Sequence, residues 1–172
     1  MKRLLTAIVA FFACFGPLSA QKIGYINTET ILNGIPAYTA AQTQLDNLSD
    51  KYKASIETEL GKIEVLYQNY QASRSSMTAT QRQTAENEII SKERVVQEKQ
   101  KIYFGEDGIM EKKAEELLSP IRKSLDVAIE QIARKGGYDL IIDLAALQGV
   151  VYKNDKLDLS AEVLAQYQAN QP

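Results

Sequence analysis

Histidine and tryptophan are absent from this chain of 172 residues, and cysteine occurs once, at Cys14. Without histidine there is no imidazole base and no His-ligated metal. A single cysteine excludes an internal disulfide and a four-cysteine zinc site. Neither sign of charge dominates, with 20 Lys and Arg against 22 Asp and Glu. The clustered basic surface of a nucleic-acid binder is therefore not expected. No Gly-x-x-x-x-Gly-Lys-Ser/Thr phosphate loop occurs, and Gly136-Gly137 lacks its spacing. Asp139 and Asp143 are four apart in a strand-like run. That places them about 13 Å apart, beyond the roughly 5–9.5 Å of a hydrolytic carboxylate pair. They read as strand-end polar residues. No catalytic residue, cofactor or metal site is expected, and the chain does not read as an enzyme.

Long apolar runs are also lacking, except at the start. Met1-Lys2-Arg3 precedes an apolar stretch from Leu4 to Phe15, Gly16-Pro17 breaks it, and Ala20 closes it. This is the layout of a cleavable secretory signal over residues 1–20; the apolar stretch is short of the roughly 20 residues that span a bilayer. Phe11-Phe12-Ala13 before Cys14 fits a lipid-attachment motif poorly. A mature chain from Gln21 keeps 18 basic and 22 acidic residues and no cysteine. Its stability must come from packing and assembly.

Lys22 to Asn27 reads as a short strand, and Asn33-Gly34 as a turn before a helix that begins at Pro36. From there to Ser73 apolar residues recur at Ala41, Leu45, Leu48, Tyr52, Ile56, Leu60, Ile63, Tyr67 and Tyr70. This is a helical stripe of coiled-coil spacing, with consecutive steps of four that read as a stutter. About 37 helical residues span about 55 Å, more than a compact domain of this size, so the helix is expected to project as an arm. Hydroxyl residues from Ser73 to Thr80 break it. Thr78 with Gln81, or Thr80 with Gln83, fits a capping box for a second helix running to Phe104. Ala85, Ile89, Val96 and Tyr103 mark one face of it, with Lys92 on the same line. Residues 36–104 thus form an antiparallel hairpin with nine basic and nine acidic residues.

Gly105 to Gly108 is a bend or flexible point. Ile109 to Lys135 is helical again, with Pro120 expected to kink or break it and Gly136-Gly137 to end it. Tyr138–Leu144 and Gly149–Lys153 read as strands, and Ser160 as the cap of a last helix to about Gln168. Residues 21–35 and 105–172 then make a small β-rich body, and the fold class is mainly α with a small β part (α+β).

Three stretches resemble the Skp/OmpH family of periplasmic chaperones: Lys22-Ile-Gly-Tyr-Ile-Asn27; Pro120-Ile121, Ala128-Ile129 and Lys135-Gly-Gly-Tyr-Asp-Leu-Ile-Ile-Asp143; and Val150-Val-Tyr152 with Leu157-Asp-Leu-Ser-Ala-Glu-Val-Leu164. The resemblance covers essentially the whole mature chain and implies a jellyfish-like homotrimer. Its β-rich trimerisation body would use Ile23, Tyr25, Leu140, Ile142, Val150 and Tyr152. Three hairpin arms would surround a cavity that holds unfolded outer-membrane β-barrel proteins without ATP. Tyr52, Leu60, Ile63, Tyr67, Tyr70, Ile89, Val96 and Tyr103 are the candidate client-facing or seam residues, and both roles stay open at this point. Transient contact with a membrane surface is a further implied partner, nucleic acid is not, and a structural envelope scaffold is the alternative reading. The neutral arm departs from the basic arms of well-known members, so no lipopolysaccharide site is carried over.

Overall fold

A computed structural model describes residues 21–171. The expected signal segment and Cys14 lie outside the described residues. The elements are β1 (Ile23–Ile26), α1 (Thr28–Asn33), α2 (Pro36–Ser73), α3 (Ala79–Phe104), α4 (Ile109–Gly136), β2 (Leu140–Asp143) and α5 (Ser160–Ala169). Short 3-10 turns follow β2, at Leu144–Ala146, and precede α5, at Asp155–Leu157. The described residues fall into two compact units. One runs up to Ile31 and resumes at Val127; the other is Leu32–Asp126, so the division runs inside α4.

In the first unit β1 and β2 pair in parallel, with Ile23 opposite Leu140 and Tyr25 opposite Ile142. The free side of β1 takes a single bridge, Tyr25 to Asp158, and the Leu159 N–H donates to the Tyr25 carbonyl at 2.8 Å. The third line of backbone is therefore Asp158–Leu159, not Gly149–Lys153. The expected strand at Gly149–Lys153 is absent: Val151 is 99% and Tyr152 82% exposed, and no backbone among the described residues pairs with them. Strand composition makes a strand only where the backbone lies along a partner, and this segment lies along none among the described residues. Gly24 is set by close packing, since a Cβ there would lie 2.5 Å from Leu159 Cδ1.

Both aspartates of the β2 segment fasten β1 and α1. Asp139 accepts from the Lys22 N–H at 2.8 Å while its own N–H donates to the Lys22 carbonyl at 2.8 Å. Asp143 accepts from the Thr28 N–H at 3.1 Å, the Thr28 hydroxyl at 2.6 Å and the Ala145 N–H at 3.0 Å. Burial raises the Asp143 pKa, but these hydrogen bonds outweigh it and hold it below the usual carboxylate value. Ser160 is not the helix cap expected of it. It is the first residue of α5; its N–H donates to Asp158 at 2.9 Å, and its hydroxyl accepts from the Asn27 N–H at 2.9 Å. Leu159 stands at the cap position without a side-chain cap bond, and the serine hydroxyl instead ties α5 to the end of β1.

In α4 the helix continues through Pro120 without a break. Leu118, Ile121 and Leu125 are buried on one face, and such packing outweighs one missing N–H donor. The helix ends as expected at Gly136, with Gly137 at φ 64°. The N–H of Tyr138 returns to the Ala133 carbonyl at 2.9 Å and that of Gly137 to Arg134 at 3.3 Å, the double closure of a Schellman motif.

The second unit contains α2 and α3, an antiparallel hairpin closed at Thr78. Its hydroxyl accepts from the Gln81 N–H at 3.2 Å, and Gln81 Oε1 accepts from the Thr78 N–H at 2.8 Å. The capping box at Thr78 is thus the one that forms. The bend after α3 is ordered by hydrogen bonds. Asp107 alone takes the left-handed conformation, at φ 58°, and its N–H donates to Glu111 at 2.8 Å.

Candidate functional site

The hairpin buries one seam and leaves the rest of its surface wet. Ile56, Ile63 and Tyr70 of α2 pack with Ile89 and Val96 of α3, and Leu66, Met77, Ala85 and Tyr103 border them. Tyr52 closes the seam by stacking on Tyr103, ring centroids 4.1 Å apart and planes 11° apart. Of the candidate residues, the seam therefore takes Tyr52, Ile63, Tyr70, Ile89, Val96 and Tyr103.

Leu60 and Tyr67 leave it; they are 45% and 47% exposed. Their places are filled by Glu59 and Leu66, one residue earlier in each case. From Tyr52 to Tyr70 the seam then steps regularly as 52, 56, 59, 63, 66, 70, so the run of fours expected over Leu48, Tyr52, Ile56 and Leu60 does not continue past Ile56. Glu59 is tolerated there because its carboxylate lies 3.3 Å from Lys62 and 3.5 Å from Lys99 on the facing helix. The Lys62 hydrogen bond and charge, then Lys99, hold the Glu59 pKa below its ordinary value. Towards the tip, the Tyr70 hydroxyl donates to Glu86. That bond to a carboxylate, together with burial, raises the tyrosine pKa.

Sequence periodicity missed a second set of apolar residues. Val65 on α2 and Ile90, Val95, Ile102 and Phe104 on α3 are exposed. Their signal was their position: each is apolar and falls off the heptad line of an otherwise polar helix. With Leu60 and Tyr67 they stud the hairpin with isolated apolar contacts separated by charge.

In the first unit, Ile23 and its register partner Leu140 are both exposed, whereas Tyr25 is buried beside half-buried Ile142. Val150 and Tyr152 are exposed with the unpaired segment. The Tyr25 ring lies 5.3 Å beneath the Lys153 ammonium, which also sits 3.8 Å from Asp155 and 3.9 Å from Asp158. Burial and the neighbouring Asp158 raise the Tyr25 pKa, which Lys153 partly offsets. These contacts fix the end of the exposed 149–153 segment against β1. The outer edge of β2 has no strand partner among the described residues.

Among the described residues no three His, Cys, Asp or Glu side chains are grouped to hold a metal ion, and no helix is long and apolar enough to cross a membrane. The arrangement presents many isolated apolar side chains to solvent.

The chain is similar to known proteins along nearly its full length. The chaperone protein Skp of Yersinia enterocolitica is 27% identical over 168 residues, covering 96% of this chain and 99% of that one. The chaperone protein Skp of Photorhabdus luminescens is 28% identical over 169 residues with the same coverage. A crystal structure of an OmpH-like outer membrane chaperone from Caulobacter crescentus superposes with a TM-score of 0.66 at 15% identity, covering 91% of this chain and 88% of that one; at that identity it speaks for the fold. The family model described as outer membrane protein (OmpH-like) matches residues 22–167, and the chain belongs to that family.

Proposed function

We propose that this protein is a periplasmic holdase that binds unfolded outer-membrane β-barrel proteins and keeps them from aggregating without ATP. The observation that carries this reading is the match to proteins named chaperone protein Skp across 96% of the chain. The hairpin supports it physically. Its own seam is internally satisfied, so the helices persist without a client. Its exposed apolar residues are scattered, which favours many weak contacts over one shaped pocket. With no phosphate loop, release falls to a competing sink, the folding of the client into its membrane.

Residues 1–20 act as the export signal in this reading. The working unit is a homotrimer assembled through Ile23, Leu140, Ile142 and the Val150–Tyr152 segment, with the hairpins of three copies around the client. The segment's exposure and the open edge of β2 supply what such an assembly needs, an unsatisfied strand and an edge to receive it. Residues 36–104 serve as the client-holding arm.

The test is light scattering of a urea-unfolded outer-membrane β-barrel protein diluted into buffer, with and without residues 21–172 and with no nucleotide present. Suppression at stoichiometric trimer is expected. Unchanged aggregation would overturn the reading.

A further inference from the structure

We propose that the side of the hairpin bearing Leu60, Tyr67 and Phe104 binds basic, apolar segments of an unfolded chain; this rests on the holding function proposed above. Lys53, Leu60 and Tyr67 follow one another at intervals of seven, which puts them on one helix face. Lys53 also lines a groove with Ile56, Glu57, Gln100 and Phe104, which places Phe104 on the same side.

That side is acidic. Asp46 precedes Lys53 by seven residues, Asp50 and Glu64 flank Glu57 by seven, and Glu86 and Glu93 lead to Gln100 in steps of seven. Six carboxylates there meet two cations, Lys53 and, seven residues after Tyr67, Arg74. The other side of the seam is marked by the groove that holds Lys62, Val65, Glu88 and Lys92. It carries Lys51, seven residues before groove-lining Thr58, and Lys99, seven after Lys92. A hairpin of balanced total charge is thus divided across its width.

Pairing does not cancel the division. Lys62 and Lys99 both turn to Glu59 in the seam, and Lys53 lies 3.8 Å from Asp50. Among the described residues, Asp46, Glu57, Glu64, Glu86 and Glu93 take part in no ion pair.

Charge complementarity selects the occupant. A lasting interface with a second copy requires roughly 800 Å² of continuous burial per partner, and here carboxylates interrupt every apolar contact. Anionic lipid headgroups and acidic chain segments are repelled. A segment that interleaves Lys or Arg with apolar side chains satisfies both features, its cations near the carboxylates and the exposed Tyr67 and Phe104 rings.

The experiment uses residues 21–172 and two labelled, unstructured peptides of one apolar pattern, interleaved with Lys in one and with Glu in the other. Fluorescence anisotropy is expected to show the Lys peptide bound roughly tenfold tighter at low salt, the sum of several exposed charge contacts. The advantage fades at high salt. Glu57→Gln/Glu64→Gln/Glu93→Gln abolishes the preference. Leu60→Ser/Tyr67→Ser weakens both peptides, and Val65→Ser/Val95→Ser on the opposite side weakens neither. Equal or reversed preference overturns the proposal. So does a changed oligomer size in the Gln variant on sedimentation, which would make this side a contact between copies. Binding of anionic vesicles that the Leu60/Tyr67 variant loses would overturn it too. A chain that suppresses β-barrel aggregation yet shows no preference loses this inference alone; one that fails to suppress aggregation loses the holding function as well.

Discussion

Glu59 and Lys99 meet across the hairpin seam at 3.5 Å, a charged layer between the buried residues Ile56 and Ile63. Lys62 and Lys99 depress the carboxylate's pKa below its ordinary 4.5. A group depressed on folding stabilises above its unfolded value, and that contribution is lost as pH falls through the folded value. Wild-type melting temperature is therefore expected to fall relative to Glu59→Gln once pH drops below about 4.5. Parallel thermal melts of the two proteins across that range check the sign. The double variant Glu59→Leu/Lys99→Leu is expected to melt higher than wild type, because a continuous apolar seam replaces a partly exposed ion pair, which contributes little.

Asp143 makes three hydrogen bonds to Thr28 and Ala145 and joins β2 to the start of α1. Asp143→Ala is expected to cost about 1–3 kcal/mol at neutral pH, the range for buried groups that lose a charged partner. Because its pKa is also depressed, the wild-type advantage shrinks as acid protonates it. Urea unfolding at neutral and acid pH measures both.

The stacked rings of Tyr52 and Tyr103 predict a measurable coupling. A double-mutant cycle with Tyr52→Ala and Tyr103→Ala is expected to return about 0.5–1.5 kcal/mol beyond the single losses. Strict additivity would mean that the stack contributes only its buried area.

The exposed segment at Val151 and Tyr152 predicts an assembly phenotype. Val151→Asp/Tyr152→Asp is expected to shift native mass spectra from the proposed trimer to monomer while leaving far-ultraviolet circular dichroism nearly unchanged, since both side chains are exposed. An intact trimer in this variant would remove the segment from the interface.

The positions of α2 to α5, the Thr78 capping box and the glycine stop after α4 could be read from sequence, because each depends on residues within a few positions of one another; the short α1 at Thr28–Asn33 was not read. The seam was legible only in part. Polarity pointed to Leu60 and Tyr67, yet Glu59 and Leu66 occupy those layers; Glu59 does so through a lysine on the other helix, which a local pattern does not record. Ser160 misled for a similar reason, its hydroxyl being engaged by the N–H of Asn27 from the far end of the chain. Val150 to Tyr152 has strand composition and no strand, because composition speaks for the segment and pairing depends on a neighbour.

The parallel pairing of β1 with β2 also sets a schedule. The two strands are joined by contacts between residues 117 apart in the chain, such as Lys22 with Asp139. The hairpin closes contacts of intermediate range, such as Tyr52 with Tyr103, whereas β1 has no partner until nearly the whole chain has been made. A chain halted after α3 would present finished helices and an orphan strand. The sheet therefore closes only once the chain has been made through β2, whatever the order in which the rest is built.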